Sequence, residues 1–278
     1  MISAGGTTGG LIGSYVTSEL AVDIGFQNLM PISASLLVVA ILCIRQLRRW
    51  LERQDVEVTE TAASSKALGG SPFAGITHVI RSKYFLAIAG KSIIASLLGT
   101  ALYMITANLV QDAFANADER TQFFSSINMA TNAIALVGQL LVVKHAVARI
   151  GIGRTMSAMP IISIFGFAVL ALEPTLAVVA VLTVIRRALG FAFSKPTTDM
   201  LYSVVTPEEK YKAKNFIDTV IYRGGDLIGT WSLRPIISAF GIAGTSVIMV
   251  PFAAIWAGIA LWLGRDYRRR AELETANA

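Results

Sequence analysis

Hydrophobic positions in this chain come in long unbroken runs, not in alternation with polar ones. Residues 1–18, 24–44, 121–143, 155–172 and 235–264 carry no charged side chain. A helix needs about 20 mostly apolar residues to cross a bilayer. The pattern predicts an all-α membrane protein with eight transmembrane helices, at 2–22, 28–47, 84–110, 121–144, 155–172, 175–203, 214–239 and 244–264. A soluble fold would have to bury several helices of that length on every side. Composition agrees, with 54% hydrophobic and 15% charged residues and a mean hydropathy of +0.61, where soluble domains hold about 25% charged residues.

The polar stretches between the runs set the organisation. Residues 51–70 are rich in Glu, Thr, Ala and Ser and end in Gly69-Gly70, the composition of a flexible linker. Residues 71–83 follow with Phe73, Ile76, Val79 and Ile80 on one side, which predicts an amphipathic segment on the membrane surface. The chain therefore divides into two spans (1–50), a linker and interfacial segment (51–83), six spans (84–270) and a tail (271–278). Bases concentrate in alternate connections: Arg45, Arg48, Arg49 and Arg53, then Arg149 and Arg154, then Lys210, Lys212 and Lys214, then Arg265 and Arg268–Arg270. By the positive-inside rule this puts both termini and the basic loops in the cytoplasm. It also accounts for the net charge of +6 without a nucleic-acid partner. The lone Cys43 lies in an apolar run and reads as a small apolar residue.

Within the apolar runs, a few charges stand out. Arg186 and Arg187 lie roughly 17 Å into their predicted span; Arg223 and Asp226 lie roughly 13 and 18 Å into the next, and Lys91 about 10 Å into the third. A charge near the bilayer centre costs at least about 2.5–3.5 kcal/mol, so such groups face a bundle interior or a wet cavity. One reading makes them neutralising pairs that fix helix register. The other counts three deep bases against the single deep acid Asp226 and places them around an anion, which the arginine fork suits. On the second reading the substrate-binding candidates are Arg186, Arg187, Arg223, Asp226, Lys91 and Asn132. Asn132 shares a helix face with Asn128, and interhelical hydrogen bonding is the competing role. Lys195, Pro196, Asp199 and Asp218 are structural or gating candidates. Pro196 is expected to kink or end its span, and Asp218 to sit near a helix start, where the helix dipole favours it. The glycines Gly5, Gly9 and Gly13, with Gly6 and Gly10, form a small-residue packing face. The sequence contains no metal cluster, nucleophile triad or phosphate loop, so neither an enzyme nor a cofactor or metal protein is expected.

The stretch Arg186-Arg187, Lys195-Pro196, Asp199, Lys210-Tyr211-Lys212-Ala213-Lys214 and Ile217-Asp218-Thr219-Val220-Ile221-Tyr222-Arg223-Gly224-Gly225-Asp226 resembles the bacterial branch of the nucleotide exchange (ATP/ADP antiporter-like) transporters of the major facilitator superfamily. That resemblance implies two six-helix bundles with a substrate site between them, worked by alternating access in a bacterial inner membrane. It maps this chain onto helices five to twelve, without the first four. The plastid and intracellular-parasite exchangers carry Leu-Gly-Lys after the arginine matching Arg223; here Gly224-Gly225-Asp226 puts an acid where they have a base. Lys195-Pro196 stands where the bacterial branch usually has Arg-Pro.

Secondary transport of a small anionic solute is therefore the leading functional expectation, with nucleotide exchange as the named case. The lipid bilayer and the anion are the expected partners, and missing N-terminal helices or an oligomeric partner would complete the bundle. The competing expectation is a non-transporting scaffold, a sensor or a truncated remnant that uses the basic face around Arg45–Arg53 and Lys210–Lys214.

Overall fold

The computed structural model describes residues 2–53, 74–142, 145 and 149–276. Most of the expected linker, 54–73, lies outside the described residues, as do Phe73 and residues 277–278 of the tail. Among the described residues there are helices and turns but no strands. The helices are α1 (Ile2–Ile24), α2 (Phe26–Arg53), α3 (Ala74–Arg81), α4 (Lys83–Ala113), α5 (Ala117–Val137), α6 (Ile152–Leu172), α7 (Leu176–Leu189), α8 (Lys195–Leu201), α9 (Pro207–Phe216) and α10 (Tyr222–Ala276). Three π-helical turns extend or join them, at Gly138–Val142, Gly190–Ser194 and Ile217–Ile221.

Among the described residues, five stretches are long and apolar enough to cross a membrane by length and composition: Gln27–Trp50, Lys83–Ala113, Ile152–Leu172, Leu176–Val204 and Glu209–Leu273. Helices α1 and α5 are as long as spans but are diluted by Gly, Ser, Thr and Asn. The last stretch is two helices in one. Gly241 takes a left-handed φ of 66° with ψ −172°, a conformation that costs a residue with a Cβ dearly. The chain folds back there. Leu233 and Trp256 are far apart along the sequence yet belong to one core cluster, so the two arms of α10 lie side by side.

Around this doubled helix the core forms in two clusters. One joins Leu98, Leu102 and Ile105 of α4 to Phe167 and Leu170 of α6, Leu182 of α7, and Leu233, Met249 and Trp256 of α10. The other, toward α3 and α9, gathers Tyr84, Phe85 and Ile88 of α4 with Met156, Leu201, Tyr202 and Ile217. Tyr84 donates its hydroxyl to the Leu201 carbonyl (2.9 Å), and Arg270 stacks over its ring at 4.5 Å. Helices α6 and α10 meet backbone to backbone: a Cβ on Gly264 would lie 2.1 Å from Gly153 Cα. Small residues at a helix crossing allow this closeness and the dispersion contacts that come with it.

Helix α1 packs along α5. Its glycine face makes less of this contact than expected. Gly10 abuts the Asn132 amide, whereas Gly5, Gly6, Gly9 and Gly13 meet nothing within 4 Å. Polar contacts help to join the pair, with Thr7 donating to Gln139 (3.2 Å) and Ser18 facing Ser126 (3.5 Å). Helix α2 is exposed along its apolar length, including Leu36, Leu37, Val39, Ile41 and Leu47.

Three local expectations change. Val79 and Ile80 do not share a side: Val79 is buried against α9 and Ile80 is exposed, because neighbours on a helix point 100° apart. Pro196 does not end its helix. The π turn Gly190–Ser194 comes just before it, so the widened turn absorbs the clash between the proline ring and the preceding carbonyl. Asp218 is not near a helix start. Its helix begins at Pro207, where Thr206 Oγ1 accepts from the Glu209 amide and Glu209 Oε2 accepts from the Thr206 amide. This capping box, legible as Thr-Pro-Glu-Glu, leaves Asp218 inside the following π turn.

Valine at Gly264 is expected to overpack the α6–α10 crossing and cost about 1–3 kcal/mol of stability. Valine at Gly258, where a Cβ would meet nothing within 4 Å, is the control. Thermal unfolding in detergent checks this: the melting temperature should fall for Gly264→Val and stay near wild type for Gly258→Val.

Candidate functional site

A cavity of about 1070 Å³ opens between α4, α5, the α7–α8 segment, the Ile217–Ile221 turn and the first arm of α10. Its size lies just above the roughly 300–1,000 Å³ typical of ligand pockets. Its bases are Lys91, Arg186, Arg187 and Lys195. Its acids are Asp199, Asp218 and Asp226. The charge excess read from the sequence is therefore smaller than expected, because Asp199 and Asp218 also face this space.

The two adjacent arginines do different work. Arg186 is 4% exposed. Its Nη2 donates to the Ala95 carbonyl of α4 (2.9 Å) and its Nε to Ser163 Oγ of α6 (3.2 Å). The guanidinium also lies over the Trp256 ring at 6.0 Å. One side chain on α7 thus ties to α4, α6 and α10 through neutral groups. Arg187 points into the open space, and its Nη1 donates to Asn128 Oδ1 of α5 (2.7 Å). With one fork nitrogen held by a neutral amide, its positive charge stays available to an anion.

Asp226 lines the same cavity from α10. Its Oδ1 accepts from Ser96 Oγ (2.5 Å) and Thr100 Oγ1 (3.2 Å), both on α4. Gly225 makes the short contact possible, since a Cβ there would lie 2.9 Å from Ser96 Oγ. Arg186 and Asp226 therefore hold the same two turns of α4, one from each side. Arg223 does not join them in the cavity. Its side chain is 79% exposed and its Nη1 is 3.8 Å from Asp226 Oδ2, longer than a hydrogen bond. Residues three apart on a helix differ by 60° in direction, and that turn carries Arg223 outward.

Toward α9 the cavity narrows to a second polar group. Buried Lys91 donates to Thr198 Oγ1 (2.5 Å). Asp199 pairs with Lys214 of α9 at 2.6 Å. Lys195 and Asp218 line the same region. Pro196 follows Lys195 without lining the space. Asn132 is separated from Asn128, since it presses on Gly10 of α1 while Asn128 lines the cavity. The boundary between the α1 contact and the cavity falls between these two residues, although they are one turn apart.

Several residues at this site were not singled out from the sequence: Ser96, Thr100, Thr198, Ser163 and Tyr222. A signal was present for some of them. Ser92, Ser96 and Thr100 recur every four positions after Lys91, a hydroxyl stripe along one face of α4. Ser163 and Thr198 lie in sequence with no comparable pattern, and only packing pairs them with Arg186 and Lys91.

The arrangement is a cavity with a cation at Arg187, a carboxylate at Asp226 and a charged end at Lys91, Lys195, Asp199 and Asp218, where Asp199 pairs with Lys214. Among the described residues no group of His, Cys, Asp and Glu has the geometry to hold a metal ion. No family model matches the chain, and no solved structure matches it. The chain is similar to ADP,ATP carrier protein 2 of Chlamydia pneumoniae, at 22% identity over 222 residues, covering 70% of this chain and 41% of the relative. The chain thus matches less than half the length of that relative, which is named as a carrier.

Proposed function

We propose that this protein is part of a secondary active transporter that carries an organic anion of the phosphate class, with nucleotides as the leading candidate, by alternating access. The observation that carries the reading is Arg187, a cation on the wall of a cavity within an apolar helical bundle, whose hydrogen-bond partner among the described residues is the neutral amide of Asn128. Arg187 is open to the cavity, and a cation inside an apolar bundle without a carboxylate is held there at low cost only where water or an anion reaches it. Similarity to a named ADP/ATP carrier supports a nucleotide as the occupant.

In this reading the chain crosses a bacterial inner membrane eight times with both termini in the cytoplasm. Its helices correspond to the fifth to twelfth of a major facilitator superfamily fold. The apolar runs, the alternation of basic connections and the break at Gly241 support that count. Arg187 and Lys91 bind the anion. Arg186 positions α4, α6 and α7, and Asp226 faces the substrate from α10. The Asp199–Lys214 pair links α8 to α9 at the cavity's end and serves as a gate: it closes that end when formed and opens when α9 swings away. An anion that draws Lys91 or Lys195 toward itself changes the electrostatics of that pair, which couples binding to opening.

Two outcomes test this. With ADP as the probe, Arg187→Ala is expected to lower uptake into proteoliposomes at least tenfold and leave the melting temperature within about a degree. Arg186→Ala is expected to lower the melting temperature itself, because charge-assisted bonds of about 1.5–3 kcal/mol each are lost. Wild-type ADP uptake by Arg187→Ala would remove the anion assignment, and absence of uptake by the wild-type protein would favour the scaffold reading. For the gate, Asp199→Lys is expected to abolish uptake, and adding Lys214→Asp to restore a substantial part of it. Equal loss in the single and double variants would show that the pair does not act as a unit.

A further inference from the structure

We infer that Asp226 reads a hydrogen-bond donor on the substrate, so that the cavity takes an anion bearing a hydroxyl pair or an ammonium group in preference to a bare anion. This rests on the anion-binding reading above and narrows it to a substrate class.

A carboxylate is acceptor-only and has two oxygens to satisfy. Oδ1 of Asp226 is occupied by Ser96 and Thr100. Oδ2 has Arg223 Nη1 as its nearest cation, at 3.8 Å. That distance is beyond a hydrogen bond, and the Arg223 side chain is mostly outside the cavity. Asp226 itself lines the cavity and keeps 36% of its side chain exposed. Oδ2 is therefore free to accept from a ligand.

Position completes the case. Ser96 and Thr100 hold Asp226 to the same turns of α4 whose Ala95 carbonyl holds Arg186. Arg187 is next to Arg186 in sequence and opens into the same space. Cation and carboxylate thus meet a ligand at similar depth from different helices, α7 and α10. Such a site penalises a simple anion, because Asp226 repels it and gains no donor in return. It favours a molecule with an anionic group at one end and donors at the other. Specificity arises because a polar group left unpaired on binding is costly. A ribose cis-diol and a primary ammonium share this donor chemistry.

The test is a binding series at about pH 8 on the purified protein in detergent, read by calorimetry with four probes: ADP, 2′,3′-dideoxy-ADP, phosphoethanolamine and ethyl phosphate. The expected result is at least tenfold tighter binding of the member of one pair that carries the added donor, and loss of that preference in Asp226→Asn. A preference for ADP over its dideoxy form identifies a diol. A preference for phosphoethanolamine over ethyl phosphate identifies an ammonium. If wild type binds both members of each pair equally, or if the preference survives in Asp226→Asn, the inference falls while the anion reading stands. If none of the four probes binds wild type, the anion reading falls and takes the inference with it. The wild-type series needs no variant to fold, and melting curves of Asp226→Asn separate a lost contact from a lost structure.

Discussion

A guanidinium inside an apolar bundle is costly unless acceptors or an open cavity reach its donors. Arg186 gives one N–H to a backbone carbonyl from α4 and one to a hydroxyl from α6, lies over the ring of Trp256 from α10, and lines the cavity. Its acceptors are neutral, so the positive charge is not cancelled locally. The rest of the cavity depends on this knot. It fixes the depth of α7 against α4, and so sets where Arg187 opens and where Lys91 and Thr198 meet. Because the next residue along α7 points about 100° away, securing Arg186 in the core presents Arg187 to the space beside it. Two adjacent arginines thus divide into an anchor and a ligand-facing group.

The π turns are the second ingredient. Each widens a helix by one residue and leaves its backbone locally less regular, a feature common at functional sites. The turns at Gly138–Val142 and Gly190–Ser194 touch each other. A Cβ on Gly138 would sit 2.9 Å from Ala192 Cβ, and Gln139 donates to the Phe191 carbonyl (3.3 Å). The third turn holds Asp218. Gly190, Phe191, Ser194 and Asp218 all line the cavity. Helices that pack by regular ridges and grooves would close this space. The widened turns rotate the following segments, and Lys195, Thr198 and Asp199 come to face inward.

Charge within the cavity is balanced unevenly along its length. At the α9 end bases and acids alternate and one pair is fully formed, Asp199 with Lys214. At the middle the cation and the carboxylate have separate partners: Asn128 for Arg187, and Ser96 and Thr100 for Asp226, with Arg223 Nη1 3.8 Å from its other oxygen. A closed pair neutralises itself and has little left for a ligand. Separated charges keep their field, and a low-dielectric surrounding strengthens it. The middle of the cavity is therefore where recognition belongs, and the α9 end is suited to opening and closing.

What the sequence by itself determined is the class of structure. Long uncharged runs make helices of membrane-crossing length, because an unpaired backbone or charge in lipid is too costly for any other arrangement. Thr206-Pro207-Glu208-Glu209 carries the local chemistry of a helix start, yet the span was expected to begin at 214, and the capping box became evident only in the folded chain. Arg186, Arg187, Lys91 and Asp226 stood out in the sequence as charges within apolar stretches, and all four line one cavity. Direction was not legible. Arg223 and Asp226 share a nominal face, yet only Asp226 enters the cavity; Asn128 and Asn132 are one turn apart and serve different neighbours. Which part of a helix face meets protein, cavity or lipid depends on the rotation of that helix in the bundle. That rotation is set by contacts between residues distant in sequence, such as Gly225 against Ser96, Gly153 against Gly264 and Arg186 against Ala95, and no local pattern in the chain encodes them.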